Sequence, residues 1–365
     1  MFLRKNAPHA IGIDIADRLV RAVELHRGGI TSRSAVHLHA WNEVPLPEGA
    51  VLNGVIADEA ALVSALKELR ATARPHRFST NGVVAALPDE RCFIKTLEVA
   101  PVAGVAFDET VRAAASGELP IPLESASFDW APLGARRVVA AAAPKELVES
   151  WVHAFEAAGF APYAFEVESS AIARSLGFPA RASEWPLAAV DIGATRTGFM
   201  LYDHGAINLT VTIPVSGNAF TDQIASGLSL PREKAEELKI SCGLDPARCE
   251  TKLRGLVENM LDELVSGIRM AIRYYKSQAG HAGEKLHSIY LVGGGSHIAK
   301  IDAVLSQKLY LKVRHGDPLA GMKLHHAHRF PRDQAECFAT AIGAALRGID
   351  SIDRLIGGHE ILWSR

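Results

Sequence analysis

The chain has 365 residues, 48% of them apolar and 22% charged, with 39 Lys+Arg against 41 Asp+Glu. That length exceeds one ordinary core, and the composition excludes a mostly disordered chain. The near-neutral charge gives no whole-protein attraction to nucleic acid or anionic lipid. Four cysteines, Cys92, Cys242, Cys249 and Cys337, form no CxxC pair. This argues against a disulfide framework or a cysteine zinc site and for a reducing cytosol. The longest aliphatic stretch, Val138 to Ala143, falls far short of the ~20 residues a bilayer needs. Met1 to Lys5 carries charge with no apolar run behind it, so no signal peptide is expected.

In chain order, Ala10-Ile-Gly-Ile-Asp-Ile15 reads as an apolar strand holding one aspartate, followed by a small turn and a second strand, Leu19 to Leu25. Asp58 to Leu69 carries a helical stripe of Leu62, Leu66 and Leu69. Gly82 to Pro88 is a strand ended by proline. Residues 89–144 change character, with strands around Ile94–Leu97, Phe128–Trp130 and Val138–Ala143 and a helix near 108–115. They read as an inserted α+β subdomain. A helix follows, with Pro144 at its start, Gly159 past its end, and Leu147, Val148, Trp151, Val152 and Phe155 on one face. Pro179 to Pro186 marks a junction.

Beyond the junction the opening pattern returns. Ala188-Ala-Val-Asp-Ile-Gly193 leads through a turn to Thr197–Tyr202. The offset that lays Asp14 on Asp191 also lays Gly28 on Gly205 and Ile30 on Ile207. This predicts a duplicated α/β domain with a site between the halves. Residues 216–285 form a second, mostly helical insert, dominated by a helix from about 250 to 278. Ser288–Val292 is a buried strand running into Gly293-Gly-Gly-Ser296, and Glu336 to Leu346 is a helix rich in small residues. The predicted partition is a first core of 9–88 and 145–182, the insert 89–144, a second core of 187–215 and 286–347, the insert 216–285, and a tail 348–365. The helix 336–347 is a candidate for sharing between the cores.

An aspartate at a strand end, followed by a tight turn, faces the crevice where open α/β sheets bind ligands. Asp14 and Asp191 could hold a hydrated Mg²⁺. The turns Ala16-Asp17-Arg18-Leu19 and Gly193-Ala194-Thr195-Arg196 offer backbone N–H groups to phosphate, and Arg18 and Arg21 add positive charge. Gly293, Gly294 and Gly295 allow a backbone to approach a flat ligand.

In this order the motifs resemble the actin–Hsp70–sugar-kinase superfamily, with its two phosphate loops and adenosine loop. They are more closely similar to the PilM family of type IV pilus assembly. Ile11-Gly-Ile-Asp-Ile, Val20-Arg-Ala-Val-Glu-Leu25, Val190-Asp-Ile-Gly-Ala-Thr195, Ile213-Pro-Val-Ser-Gly217, Ala235-Glu-Glu-Leu-Lys239, Leu291-Val-Gly-Gly-Gly295 and Ala341-Ile-Gly-Ala-Ala-Leu-Arg347 carry that resemblance. It implies an actin-like ATPase fold with ATP and Mg²⁺ in the interdomain cleft. It adds Gly217 and Ser296 to the nucleotide contacts and places Glu236 and Lys239 at the ribose. It also implies a cytoplasmic scaffold of type IV pilus assembly, or of a related secretion or competence system, on the inner face of the inner membrane. That scaffold binds the cytoplasmic N-terminal tail of a PilN-like protein near the first insert, with motor ATPases and a second copy as further candidate partners.

The first loop departs from the family, with Ala16 in place of the usual glycine and Leu19 in place of a hydroxyl residue. Alanine resists the positive φ that glycine permits. No general base besides Asp14 and Asp191 presents itself, so slow or absent hydrolysis is expected and no catalytic residue is assigned. The alternatives are an FtsA-like filament-forming division protein and a small-molecule kinase. A kinase needs a base and a polar pocket beside the γ-phosphate, which the sequence does not offer. A lipid-binding helix like FtsA's fits poorly with Asp350 and Asp353 in the tail. His325, His326 and His328, and the pair His37 and His39, lack a cysteine or carboxylate set and read as surface histidines. Trp130, Trp151 and Trp185 read as anchors within the core or at interfaces.

Overall fold

A computed structural model describes residues 10–28, 35–100, 105–248, 251–278, 283–322 and 330–350. Ile30, Cys249, the histidines at 325, 326 and 328, and the tail beyond 350 lie outside the described residues. The chain divides into two compact units. One comprises Met1–Pro179, Gly205–Ile207 and Pro318–Arg365, and the other Ala180–His204 and Asn208–Asp317.

The first unit opens with β1 (Ile11–Ile15), β2 (Leu19–Arg27) and β3 (Val36–Pro45), then the short β4 (Val51–Leu52) and β5 (Val55–Ile56). Next come α1 (Glu59–Ala71), β6 (Arg74–Pro75) and β7 (Gly82–Leu87). Asp58 caps α1 by accepting from the Ala61 N–H at 3.0 Å. A side domain follows, made of β8 (Phe93–Glu98), α2 (Val105–Glu118), β9 (Ala126–Pro132) and β10 (Arg137–Pro144). Its sheet has the order β8-β10-β9. The chain returns through α3 (Lys145–Ala157), β11 (Ala161–Val167) and α4 (Glu168–Ser175). The apolar face read from the sequence of α3 is the one buried, and the Trp151 indole donates to the Gly54 carbonyl at 3.1 Å. Burying such a ring stabilises by roughly 1.5–3 kcal/mol.

The second unit holds β12 (Leu187–Ile192), β13 (Thr197–Asp203), β14 (Ala206–Ile213, from Asn208 onward), α5 (Gly217–Leu228), α6 (Arg232–Ser241), α7 (Thr251–Ser277), β15 (Ser288–Val292), α8 (Ile301–Leu309) and β16 (Lys312–His315). The stripe of α7 is buried through Leu253, Val257, Leu261, Leu264, Val265, Ile268 and Tyr275.

The two main sheets repeat one topology. The first runs β11-β7-β1-β2-β3-β6 and the second β16-β15-β12-β13-β14. In each, the aspartate strand pairs antiparallel with the strand after it and parallel with a later one. The register coincides as well: Asp14 faces Arg21 and Asp191 faces Gly198.

A last helix, α9 (Ala339–Asp350), belongs to the first unit. The partition predicted above assigns it to the second core, with sharing between the cores as the other option. Its small residues explain where it packs. A Cβ on Gly12 of β1 would fall 2.1 Å from the Ala341 carbonyl oxygen, and one on Gly343 would fall 1.9 Å from that of Ala171 in α4. Helix and strand on one side, and helix and helix on the other, therefore meet backbone to backbone.

Candidate functional site

In the first unit, Asp14 is the penultimate residue of β1 and is 8% exposed. The chain reverses over four residues, and the Ala16 N–H donates to the Leu19 carbonyl at 3.0 Å. The Arg18 carbonyl accepts from the Leu46 N–H at 2.8 Å, which fixes the loop against the chain leaving β3. Arg18 pairs with exposed Glu48 at 2.8 Å, a surface contact that an anion could displace. Arg21 pairs with Glu43 at 2.5 Å, and its guanidinium lies over the Phe338 ring. Burial opposes the Arg21 charge, but Glu43, then Cys337 and Asp14, prevail and raise its pKa. Arg21 therefore serves as a deep counter-charge beside Asp14. Asp17 is buried too, so this loop carries a second carboxylate.

In the second unit, Asp191 is again penultimate in its strand, and the Gly193 N–H donates to the Arg196 carbonyl at 2.9 Å. The two loops share one internal hydrogen bond and one length. Neither Ala16 nor Gly193 has a positive φ, so the expected penalty for alanine at 16 does not arise. Glycine at 193 answers to space instead, since its Cβ would fall 2.9 Å from the Arg196 carbonyl oxygen. Ala194 and Thr195 are the exposed tip of this loop.

Behind the loop, the Gly217 and Asn218 N–H groups donate to the Gly193 and Ala194 carbonyls at 2.8 and 2.9 Å. Ser216 caps the same helix, accepting from Ala219 at 3.2 Å. The start of α5 thus holds the loop in place, and this is the position the structure gives Gly217. Lys239 on α6 is 7% exposed, and its ammonium donates to the Gly217 carbonyl (3.0 Å), Thr221 Oγ1 (2.9 Å) and Glu236 Oε2 (2.7 Å). Burial opposes the Glu236 charge, but the bonds from Lys239 and Thr221 prevail, and its carboxyl titrates below the usual range. This pair is neither a solvated helix face nor two free ligand contacts. It anchors α6 to the start of α5, with the Glu236 carboxylate at the half-exposed edge.

The glycine loop after β15 completes this half. Gly293 has φ 77° and ψ 168°, a region essentially limited to glycine. A Cβ there would fall 2.1 Å from Asp191 Oδ1, and one on Gly295 would fall 2.2 Å from Ile192 Cγ2. Both glycines are needed for packing against the end of β12. Gly294 is the exposed member of the three and the one open to a ligand. Ser296 is buried, and its hydroxyl donates to the Gly293 carbonyl at 2.7 Å, so it shapes the turn.

The second unit therefore gathers Asp191, the 193–196 loop, Gly217, Glu236, Lys239 and Gly293–Ser296 into one connected cluster, of which Ala194, Thr195 and Gly294 are the exposed members. The first unit gathers Asp14, Ala16, Asp17, Arg18 and Arg21. Sequence reasoning did not find Ser216, Thr221, Glu43 and Glu48, which hold these groups. Only Ser216 had a local signal, a cap position before a helix.

A sheet built twice, each copy ending its first strand in an aspartate and a four-residue turn, defines the actin-like ATPase fold. Solved structures with that fold include MreB5 of Spiroplasma citri bound to AMPPNP, with a TM-score of 0.55 at 14% identity over 92% of this chain and 95% of that one. The family profile described as type IV pilus assembly protein PilM matches residues 12–349, and the chain belongs to that family. A structure of a PilM-PilN type IV pilus biogenesis complex has a TM-score of 0.78 at 26% identity, covering 94% of this chain and 99% of that one. Cell division protein FtsA of Buchnera aphidicola is 27% identical over 206 residues, 48% of each chain. FtsA of Neisseria meningitidis is 30% identical over 174 residues, 42% of this chain and 40% of that one. The chain spans about half the length, or less, of these curated relatives.

Proposed function

We propose that this chain is a nucleotide-binding scaffold of type IV pilus assembly, recruited to the inner membrane by the cytoplasmic tail of a PilN-like protein. The observation that carries this reading is the similarity to the PilM-PilN complex structure over nearly the full length of both chains. No helix among the described residues is long and apolar enough to cross a membrane, so a membrane-bound partner supplies the attachment. The tail would gain affinity from a few apolar side chains and main-chain hydrogen bonds. Its proposed seat is the region where the β8-β10-β9 sheet adjoins the rest of the first unit.

ATP fits the second unit's half-site on an observation of its own. Ala194, Thr195 and Gly294 are exposed, and Gly293 and Gly295 pack without a Cβ against Asp191 and Ile192 at the end of β12, which brings the glycine loop beside the aspartate. In this reading Ala194, Thr195 and Gly294 approach the nucleotide, and Glu236 lies at the ribose. Gly193, Arg196, Gly217, Lys239, Gly293, Gly295 and Ser296 hold the contacting groups in position. Asp191 in the second unit and Asp14 in the first are each proposed as a carboxylate for Mg²⁺ through water, Arg18 offers a displaceable cation, and Ala16, Asp17 and Arg21 shape the first loop. The metal would neutralise phosphate charge. In this reading the nucleotide sets conformation and is hydrolysed slowly or not at all.

Two measurements test the reading. Calorimetry with Mg-ATP should give one site, weakened by Asp191→Ala, and no heat with ATP or ADP would overturn the nucleotide part. Membrane fractionation should lose the protein when the partner's cytoplasmic tail is deleted. Retention would point instead to direct membrane attachment of the FtsA kind.

A further inference from the structure

A second polar cluster lies away from the strand-end loops. Glu24 and His26 are two apart on β2 and therefore share a face of the sheet. On β3, Ala40 pairs with Glu24 and Leu38 with Leu25, which leaves His39 as the extra residue of a β-bulge. The bulge turns the His39 ring onto His26, with centroids 4.1 Å apart and planes 11° from parallel. His76 also stacks on His39, with centroids 5.1 Å apart. Glu24 is fully buried, and its Oε1 lies 3.1 Å from His26 Nε2. The Ser79 N–H donates to Glu24 Oε2 at 2.9 Å, and the Ser79 hydroxyl donates to Oε1.

Among the described residues, this is the one set of three metal-binding side chains whose ligand atoms all lie within 4.8 Å of one another. Tetrahedral zinc holds His nitrogen and carboxylate oxygen at about 2.0–2.2 Å, so binding one ion requires the two stacked rings to turn until their nitrogens converge and the Glu24–His26 hydrogen bond to give way to the ion. Two imidazoles with one carboxylate suit zinc and its first-row neighbours and do not suit Mg²⁺ or Ca²⁺. Ser79 stands where an outer partner would orient the ligating carboxylate.

We propose that Glu24, His26 and His39 bind one divalent ion of the zinc class, with His76 or water in the fourth position. The ion would tie β2 and β3 to the segment that leads into β7. It would not be the nucleotide's metal. Glu24 pairs with Ile11, whereas Asp14 pairs with Arg21, so about 10 Å of strand separates the two places. The proposal stands independently of nucleotide binding. Reading His39 as a plain surface histidine missed Glu24, because the bulge that joins them leaves no mark in the residue alternation.

The test uses the full chain, stripped of metal and titrated with Zn²⁺ and Co²⁺. One Co²⁺ per chain with a tetrahedral visible spectrum is expected, together with a rise in melting temperature on adding Zn²⁺. His26→Ala and His39→Ala should each weaken binding by about 100-fold or more, at or beyond the upper end of what losing an outer partner costs. The triple change His325→Ala, His326→Ala, His328→Ala should retain binding. His39→Cys should keep the site and add a thiolate-to-cobalt charge-transfer band, which reports ligation even if an alanine variant folds poorly. No stoichiometric binding, binding lost in the triple variant but kept in His39→Ala, or a folded His39→Cys chain that binds Co²⁺ without the new band would each overturn the proposal.

Discussion

Gly293 combines two demands that no other residue meets, a φ of 77° and a Cβ position 2.1 Å from Asp191 Oδ1. Gly293→Ala should cost about 1–3 kcal/mol of stability and displace the aspartate proposed to hold Mg²⁺. Gly294→Ala, one residue on and exposed, should leave stability within about 0.5 kcal/mol while weakening nucleotide binding. Denaturant titration and calorimetry on the two variants separate packing from contact. Glu236 offers a pH test. Its carboxyl titrates below the usual range in the folded chain, so its contribution is complete above the unfolded value of 4.5 and disappears as pH falls through the folded value. Glu236→Gln should therefore melt below the parent at pH 7, with the gap closing as the pH falls below 4.5 through the lowered folded value. A constant gap would show that Lys239 is not the partner that matters.

At the scale of elements, α9 rests on charge as well as on small residues. Arg347 is 1% exposed and lies 3.3 Å from Glu166 Oε2, while Arg174 grips both Glu166 oxygens at 2.8 Å and the Gly343 carbonyl at 2.8 Å. One buried carboxylate thus joins β11, α4 and α9. Glu166→Gln leaves these guanidinium groups without their anion and should cost about 3–5 kcal/mol, measured by urea unfolding. This network is silent in the sequence, since its members are far apart in the chain. The stripes of α3 and α7 were legible because a helical period repeats within a few residues. Asp14 and Asp191 were legible because strand, aspartate, turn and glycine recur at one offset. Lys239 was legible as part of a motif, but its role was not. A spacing cannot show whether an ammonium reaches outward or, as here, back to the Gly217 carbonyl.

For the molecule as a whole, a ligand that binds only the folded chain stabilises it by mass action. Mg-ATP at 100 times its Kd would add about 2.7 kcal/mol, enough to raise the melting temperature by several degrees. Asp191→Ala should remove that increment while leaving the ligand-free melt nearly unchanged. A rise that survives the substitution would place the nucleotide elsewhere. The duplicated sheets and the side domain came through from sequence, but the assignment of α9 did not. A helix that packs on the first strand while lying at the far end of the chain is a long-range fact that no local pattern encodes.

That return sets the order in which the protein can be made. Gly12 must wait for Ala341 and Ala345 to cover it. At about 5–20 residues per second, the nascent β1 and its neighbours remain uncovered for roughly 15 seconds to a minute. The second unit, Ala180–His204 with Asn208–Asp317, is complete before α9 emerges. The first part synthesised is therefore the last to finish folding, and a ribosome that stops just after Asp317 would release a chain whose opening strands lack their cover. Such a product should be cleared by cellular proteases despite an intact second unit. Pulse-labelled, arrested chains of increasing length would show protease resistance spreading to the amino-terminal half only once α9 has left the exit tunnel.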